Sequence, residues 1–162
     1  MSVPADPKRE LLRHLVATIS YRGGKAFRDP PPDFASFGVG GGTRDAVGIL
    51  AHIDDLLEWS LRLVNGERAW RPQPEADWDA GVARFYAALA ALDAYLASPE
   101  PLQFGIEEMI QGPITDAFTH IGQISLLRRC AGSAVRAEVM ILSKIQAGRV
   151  GPDQEPPVRE FD

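Results

Sequence analysis

Cysteine is nearly absent: Cys130 stands alone among 162 residues, which excludes an intramolecular disulfide framework and a cysteine metal cluster. With Leu126, Leu127 and Ala131 around it, it reads as a small core residue. No apolar run approaches the roughly 18 residues that a membrane span needs, and the opening MSVPADPKRELLRHLV lacks the apolar stretch of a signal peptide. A cytoplasmic protein without membrane attachment is therefore expected. Positive charge is also scarce. Seventeen Lys and Arg stand against 22 Asp and Glu, for a net charge of -5, and binding to a phosphate backbone depends on clustered cations displacing counterions. No nucleic-acid partner is expected, and the Arg128-Arg129 pair reads as a complement to a helix C-terminus.

What is present is helical periodicity. A length of 162 residues suits one domain with its own core. Leu11, Leu12, Leu15, Val16 and Ile19 repeat at helical spacing in PKRELLRHLVATISYRGGK, with Gly23 and Gly24 expected to end that helix and His14 on its solvent side. The proline and glycine cluster RDPPPDFASFGVGGGTRDA excludes regular structure, and its GVGGG lacks the phosphate-loop pattern. Thr43 is expected to cap a second helix closed by Asn65 and Gly66, and Asp77 a third, DWDAGVARFYAALAALDAYLAS. A fourth is expected from about Pro113 to Ala131, since proline is tolerated in a first turn, with Gly132 as its stop. AEVMILSKIQAG predicts a short additional C-terminal helix, and the proline-rich tail from about residue 149 an extended chain. The fold class expected is all-α, a four-helix bundle spanning residues 1–162 as one domain.

The chain has three histidines, and one stands four residues after a carboxylate in TDAFTHIGQI. Asp116, His120, Gln123 and Leu127 form one stripe at i, i+4, i+7 and i+11. Two ligands at i and i+4 can reach one metal ion. His52 on the second helix, in line with Leu56, Trp59 and Leu63, is the best third ligand, since facing helices of bundles commonly build metal sites. Two imidazoles and a carboxylate bind a divalent transition metal and leave positions open for water or substrate. Asp55 is a candidate to orient His52, Trp59 a pocket residue, and Gln123 a hydrogen-bond partner for a ligand or bound water. Against this stands a plainer reading: Asp116 and His120 as a helix-surface pair, His52 as a satisfied buried imidazole, and Asp54, Asp55 and Glu58 as a solvated acidic edge.

The segments HIDDLLEW and DAFTHIGQISLLRRCAGS, together with LLRHLVATISYRGGKAF, resemble the DinB/YfiT-like superfamily of metalloenzymes, whose members carry an HxxxHxGQ pattern. The resemblance covers most of the chain. It implies a bundle with a metal site between helices, zinc or nickel as the usual ion, a homodimer, and transferase or isomerase activities that use low-molecular-weight thiols. His52 matches the first ligand and His120 the last, while Asp116 stands where many members have a middle histidine. A carboxylate there shifts preference toward iron, manganese or zinc chemistry. The asparagine-tyrosine pair that follows the last glycine turn in relatives is replaced by AEVM. The resulting expectation is a divalent-metal protein, a hydrolase or thiol transferase acting on a small molecule, with no separate general base identified. The alternative is a non-catalytic dimeric ligand-binding or stress-associated bundle that has lost the metal.

Overall fold

The structure is a computed structural model describing residues 6–74 and 77–161. The first five residues of the N-terminal segment read above, the end of the ERAWRPQPEA connection and the final residue of the tail lie outside that description.

Four long helices dominate: α1 (Pro7–Phe27), α2 (Ala46–Val64), α3 (Trp78–Ala97) and, after a short helix α4 (Ile106–Met109), α5 (Thr115–Cys130). No strand occurs among the described residues, and one isolated bridge joins Glu138 to Glu160 in the tail. The chain is thus all-helical. Aspartates start three of the long helices. Asp6 accepts from the Lys8 N–H, Asp45 from Gly48 and Asp77 from Ala80, each satisfying a backbone donor that the first turn leaves free. Asp45 replaces the expected Thr43, whose hydroxyl instead bonds the Gly40 carbonyl.

Gly23 and Gly24 do not stop α1, which continues to Phe27. A Cβ on Gly23 would lie 2.5 Å from Phe85 Cζ, and one on Gly24 2.5 Å from the Tyr86 hydroxyl. The glycines therefore admit α3 side chains against the α1 backbone. The fourth helix also differs from expectation, because the chain is already helical from Ile106 and passes through a widened turn over Ile110–Ile114. Gly112 leaves helical geometry there (φ -95, ψ -107), and Pro113 follows without an N–H to give, so the ladder breaks and restarts at Thr115. The expected C-terminal helix is only a 3-10 turn over Met140–Leu142, while the tail is non-helical as expected.

The core runs through all four long helices. Leu12, Val16 and Ile19 of α1 meet Leu50, Ile53 and Leu57 of α2, Phe85, Leu89 and Leu92 of α3, and Ile114, Ala117 and Ile124 at and after the kink. Leu11 is exposed, on the far side of the helix. α3 has the length and apolar content of a membrane span, yet it is a core helix. Its Arg84 bonds Asp55 and Glu58 of α2, and its Asp93 pairs with Arg13 of α1.

Arg128 stands in the last turn of α5, as expected, and is buried there. Its guanidinium donates to the carbonyls of Ala26, Arg28, Asp29 and Ser133 and to the Ser133 hydroxyl. The carbonyls past the end of α1 thereby gain partners that helix termination denies them. Cys130 is exposed rather than in the core, one position around from the face that Leu127 and Arg128 bury.

Candidate metal centre

The seam between α2 and α5 brings His52, Asp116 and His120 together. One ligand atom from each lies within 4.8 Å of the others, and all three residues are half-buried. His52 Nε2 is 3.8 Å from Asp116 Oδ2, and His120 Nε2 is 3.4 Å from Asp116 Oδ1. Both separations exceed good hydrogen-bond length. Donors that each approach a tetrahedral ion to about 2.1 Å stand roughly 3.3 to 3.5 Å apart. The group can therefore hold a metal ion with small side-chain adjustments. Three protein ligands would leave at least one position for a non-protein group.

The protonation of the imidazoles suits that role. His120 Nδ1 lies 2.8 Å from Gln123 Oε1. An amide oxygen can only accept, so this contact puts the ring proton on Nδ1 and leaves the Nε2 lone pair facing Asp116. Burial, aided by the positive charges of Arg44 and His120, holds His52 below its ordinary pKa against the opposing carboxylates of Asp116 and Asp55. A neutral imidazole is the form that ligates.

The remaining predicted residues divide. Gln123 hydrogen-bonds the candidate ligand His120, about one turn away on the same helix. Asp55 does not orient His52: its Oδ1 accepts from Arg84 Nη2 at 2.6 Å and from the Gln73 N–H at 3.0 Å. Nor are Asp54 and Asp55 a solvated edge, since both are buried. Trp59 stands near the seam without touching the triad directly. Its indole N–H bonds the Arg68 carbonyl, and its ring meets Trp70 edge-on at 5.5 Å. Trp70 in turn packs at 5.7 Å on His52, which meets His120 at 4.7 Å, so four rings follow one another from Trp59 to the site.

Trp70 and Arg44 are the residues near the site that the sequence reading did not find. Both lie in irregular segments, where no periodicity fixes direction, so their only sequence signal was an aromatic and a cation in otherwise loop-like composition.

Two open clefts flank the triad. One, of about 330 Å³, is lined by Val39, Thr43, Arg44, Ile49, Leu126 and Leu127 and reaches His120 and Gln123. The other, of about 300 Å³, lies at the kink between Trp59, Gln111, Thr115 and Thr119 and reaches Asp116. The first thus reaches His120 and the second Asp116, while His52 lines neither.

The described residues thus form an all-helical fold with a His-Asp-His group that could hold a metal ion. No family model, curated protein or solved structure matches the chain.

Proposed function

We propose that the protein binds a divalent transition metal through His52, Asp116 and His120, and that it is a DinB/YfiT-like metal-dependent hydrolase or low-molecular-weight-thiol transferase acting on a small molecule in the cytoplasm. The observation that carries this reading is the convergence of three donors from two helices within 4.8 Å. The sequence resemblance supports it independently, since it concerns the order of residues along the chain and not their spacing in space. Zinc suits the mixed nitrogen and oxygen donor set, with nickel, iron and manganese as competitors.

A divalent ion held there supplies Lewis acidity that lowers the pKa of a water or thiol it binds. The protein's own residues do the rest. Gln123 fixes the His120 ring by holding its Nδ1 proton, and Trp70 covers one side of His52. Asp116, the most exposed of the three, contributes a negative charge that lowers the net charge of the centre. Association into a homodimer belongs to the same resemblance.

The test is elemental analysis of untagged protein purified without chelator, beside His52→Ala, Asp116→Ala and His120→Ala. About one zinc, nickel, iron or manganese per chain, lost in the variants, is the expected result. A parent protein that carries no metal and takes up none on titration overturns the reading. The residues are then a half-exposed carboxylate beside two packed imidazoles, in a non-catalytic bundle.

A further inference from the structure

We infer that the cleft beside His120 receives a small organic anion, its carboxylate or phosphate held by Arg44 and its apolar body lying against Val39, Ile49, Leu126 and Leu127. The inference names the substrate class of the site proposed above and rests on that reading for placing the ligand beside a reactive centre. The binding itself needs only this chain's residues.

The cleft's composition is one-sided. Its lining contains a single charged residue, Arg44, and no carboxylate, in a chain whose acidic residues outnumber its basic ones. Most other cations near the bundle are spoken for: Arg84 by Asp55 and Glu58, Arg13 by Asp93 and Glu10, Lys25 by Glu138 and Glu160. The Arg44 guanidinium has no hydrogen-bond or ion-pair partner among the described residues. A guanidinium presents a planar fork of donors matched to carboxylate and phosphate oxygens. The neighbouring Asp45 caps α2 through the Gly48 N–H, and no ion pair between it and Arg44 forms among the described residues.

Half of the lining is apolar: Val39, Ile49, Leu126 and Leu127 share the cleft with Thr43, Arg44, His120 and Gln123. Val39 is 61% exposed and Leu126 56% exposed, and both line this opening. Isolated exposed apolar residues need no explanation, but two that line one cleft together with a single cation match the usual make-up of a ligand site. The volume, about 330 Å³, falls at the small end of the ligand-pocket range. The loop that carries Val39 and Arg44 also includes Gly40, Gly41 and Gly42, all at positive φ, and a Cβ on any of them would meet nothing within 4 Å. The three glycines therefore face open space beside the cleft.

The cleft on the other side of the triad differs. Its polar lining is Gln111, Thr115, Thr119 and Asp116, with no cation. An anion is thus steered to the Arg44 side, whose lining includes His120 and Gln123.

The experiment is calorimetric titration of octanoate, octyl phosphate, octanol and octylamine into chelator-treated protein and into protein supplied with zinc, for the parent, Arg44→Gln and Leu126→Asp. Octanoate and octyl phosphate are expected to bind the metal-free parent at least tenfold more tightly than octanol or octylamine. Arg44→Gln, an exposed loop change remote from the core, should remove that preference and leave zinc stoichiometry unaltered. Leu126→Asp should weaken the two anions together. Equal affinity for octanol and octanoate, no binding of any probe, or an Arg44→Gln protein that binds octanoate like the parent overturns the inference. A parent that binds octanoate through Arg44 yet takes up no zinc, nickel, iron or manganese sinks the metal reading and leaves the anion site standing.

Discussion

Gln123 holds His120: its amide oxygen sits 2.8 Å from the ring Nδ1 and so decides which imidazole nitrogen faces Asp116. Partners of this kind typically contribute about 10- to 100-fold to metal affinity. Gln123→Leu should therefore weaken zinc binding by about that factor without unfolding the protein, since Gln123 is exposed. Gln123→Glu, which keeps an acceptor, should retain most of the affinity. Competition with a chromogenic chelator measures both, and equal affinities for the parent and Gln123→Leu would remove the residue from the site.

Arg128 ties the end of α5 to the end of α1 through carbonyls that have few other partners. Arg128→Ala leaves several buried acceptors unpaired and should cost about 3 kcal/mol in a urea melt. Arg128→Lys should recover little of this, because an ammonium cannot reach acceptors spread across a planar fork. Full rescue by lysine would mean that charge at the helix end, and not the hydrogen-bond geometry, is what stabilises this corner.

Glycines in two helices should respond to alanine with opposite signs. In α1, a Cβ at Gly23 would stand 2.5 Å from the fully buried ring of Phe85, so Gly23→Ala should cost about 1 to 3 kcal/mol through overpacking. In α5, a Cβ at Gly122 meets nothing within 4 Å, and Gly122→Ala should stabilise by up to about 1 kcal/mol through helix propensity. Thermal melts of the two variants distinguish packing from propensity directly. A stabilised Gly23→Ala protein would show that α1 and α3 can separate without loss.

Asp54 is fully buried and neither of its oxygens has a hydrogen-bond partner among the described residues. Burial pushes its carboxyl up to about 8, with Arg84 opposing, against 3.8 for an ordinary aspartate. As pH rises the unfolded chain loses this proton first, so between about pH 4 and pH 8 the folded state binds more protons and stability falls. Asp54→Asn stays neutral throughout. Its advantage over the parent should grow from pH 5 to pH 8, reaching about 2 to 4 kcal/mol, and then level off. A difference between the two urea midpoints that does not change with pH would place the buried group's proton elsewhere.

Local chemistry made much of the bundle legible in advance. The apolar repeats of LLRHLVATI and AVGILAHIDDLL, and Asp77 before an alanine-rich run, specify helices through contacts within a few residues, and α2 and α3 begin and end close to where those signals place them. The i, i+4 spacing of Asp116 and His120 is a helix property as well, so half of the candidate site could be read from the chain alone.

The remainder needed the tertiary arrangement, because it depends on what a residue meets across a seam. Sequence alone treats Gly23-Gly24 as a stop, whereas the approach of Phe85 and Tyr86 makes them a contact surface. It treats Asp55 as a partner for His52, but Arg84 on the facing helix and the Gln73 N–H claim that carboxylate. It offers His52 only as a candidate partner for Asp116, 64 positions away, and cannot lay Trp70 against His52 or Arg44 at the cleft, since these contacts come from the packing of α2 on α5 and the course of two irregular loops. Helical periodicity determined which residues share a face; only packing determined which faces meet, and the site exists where they do.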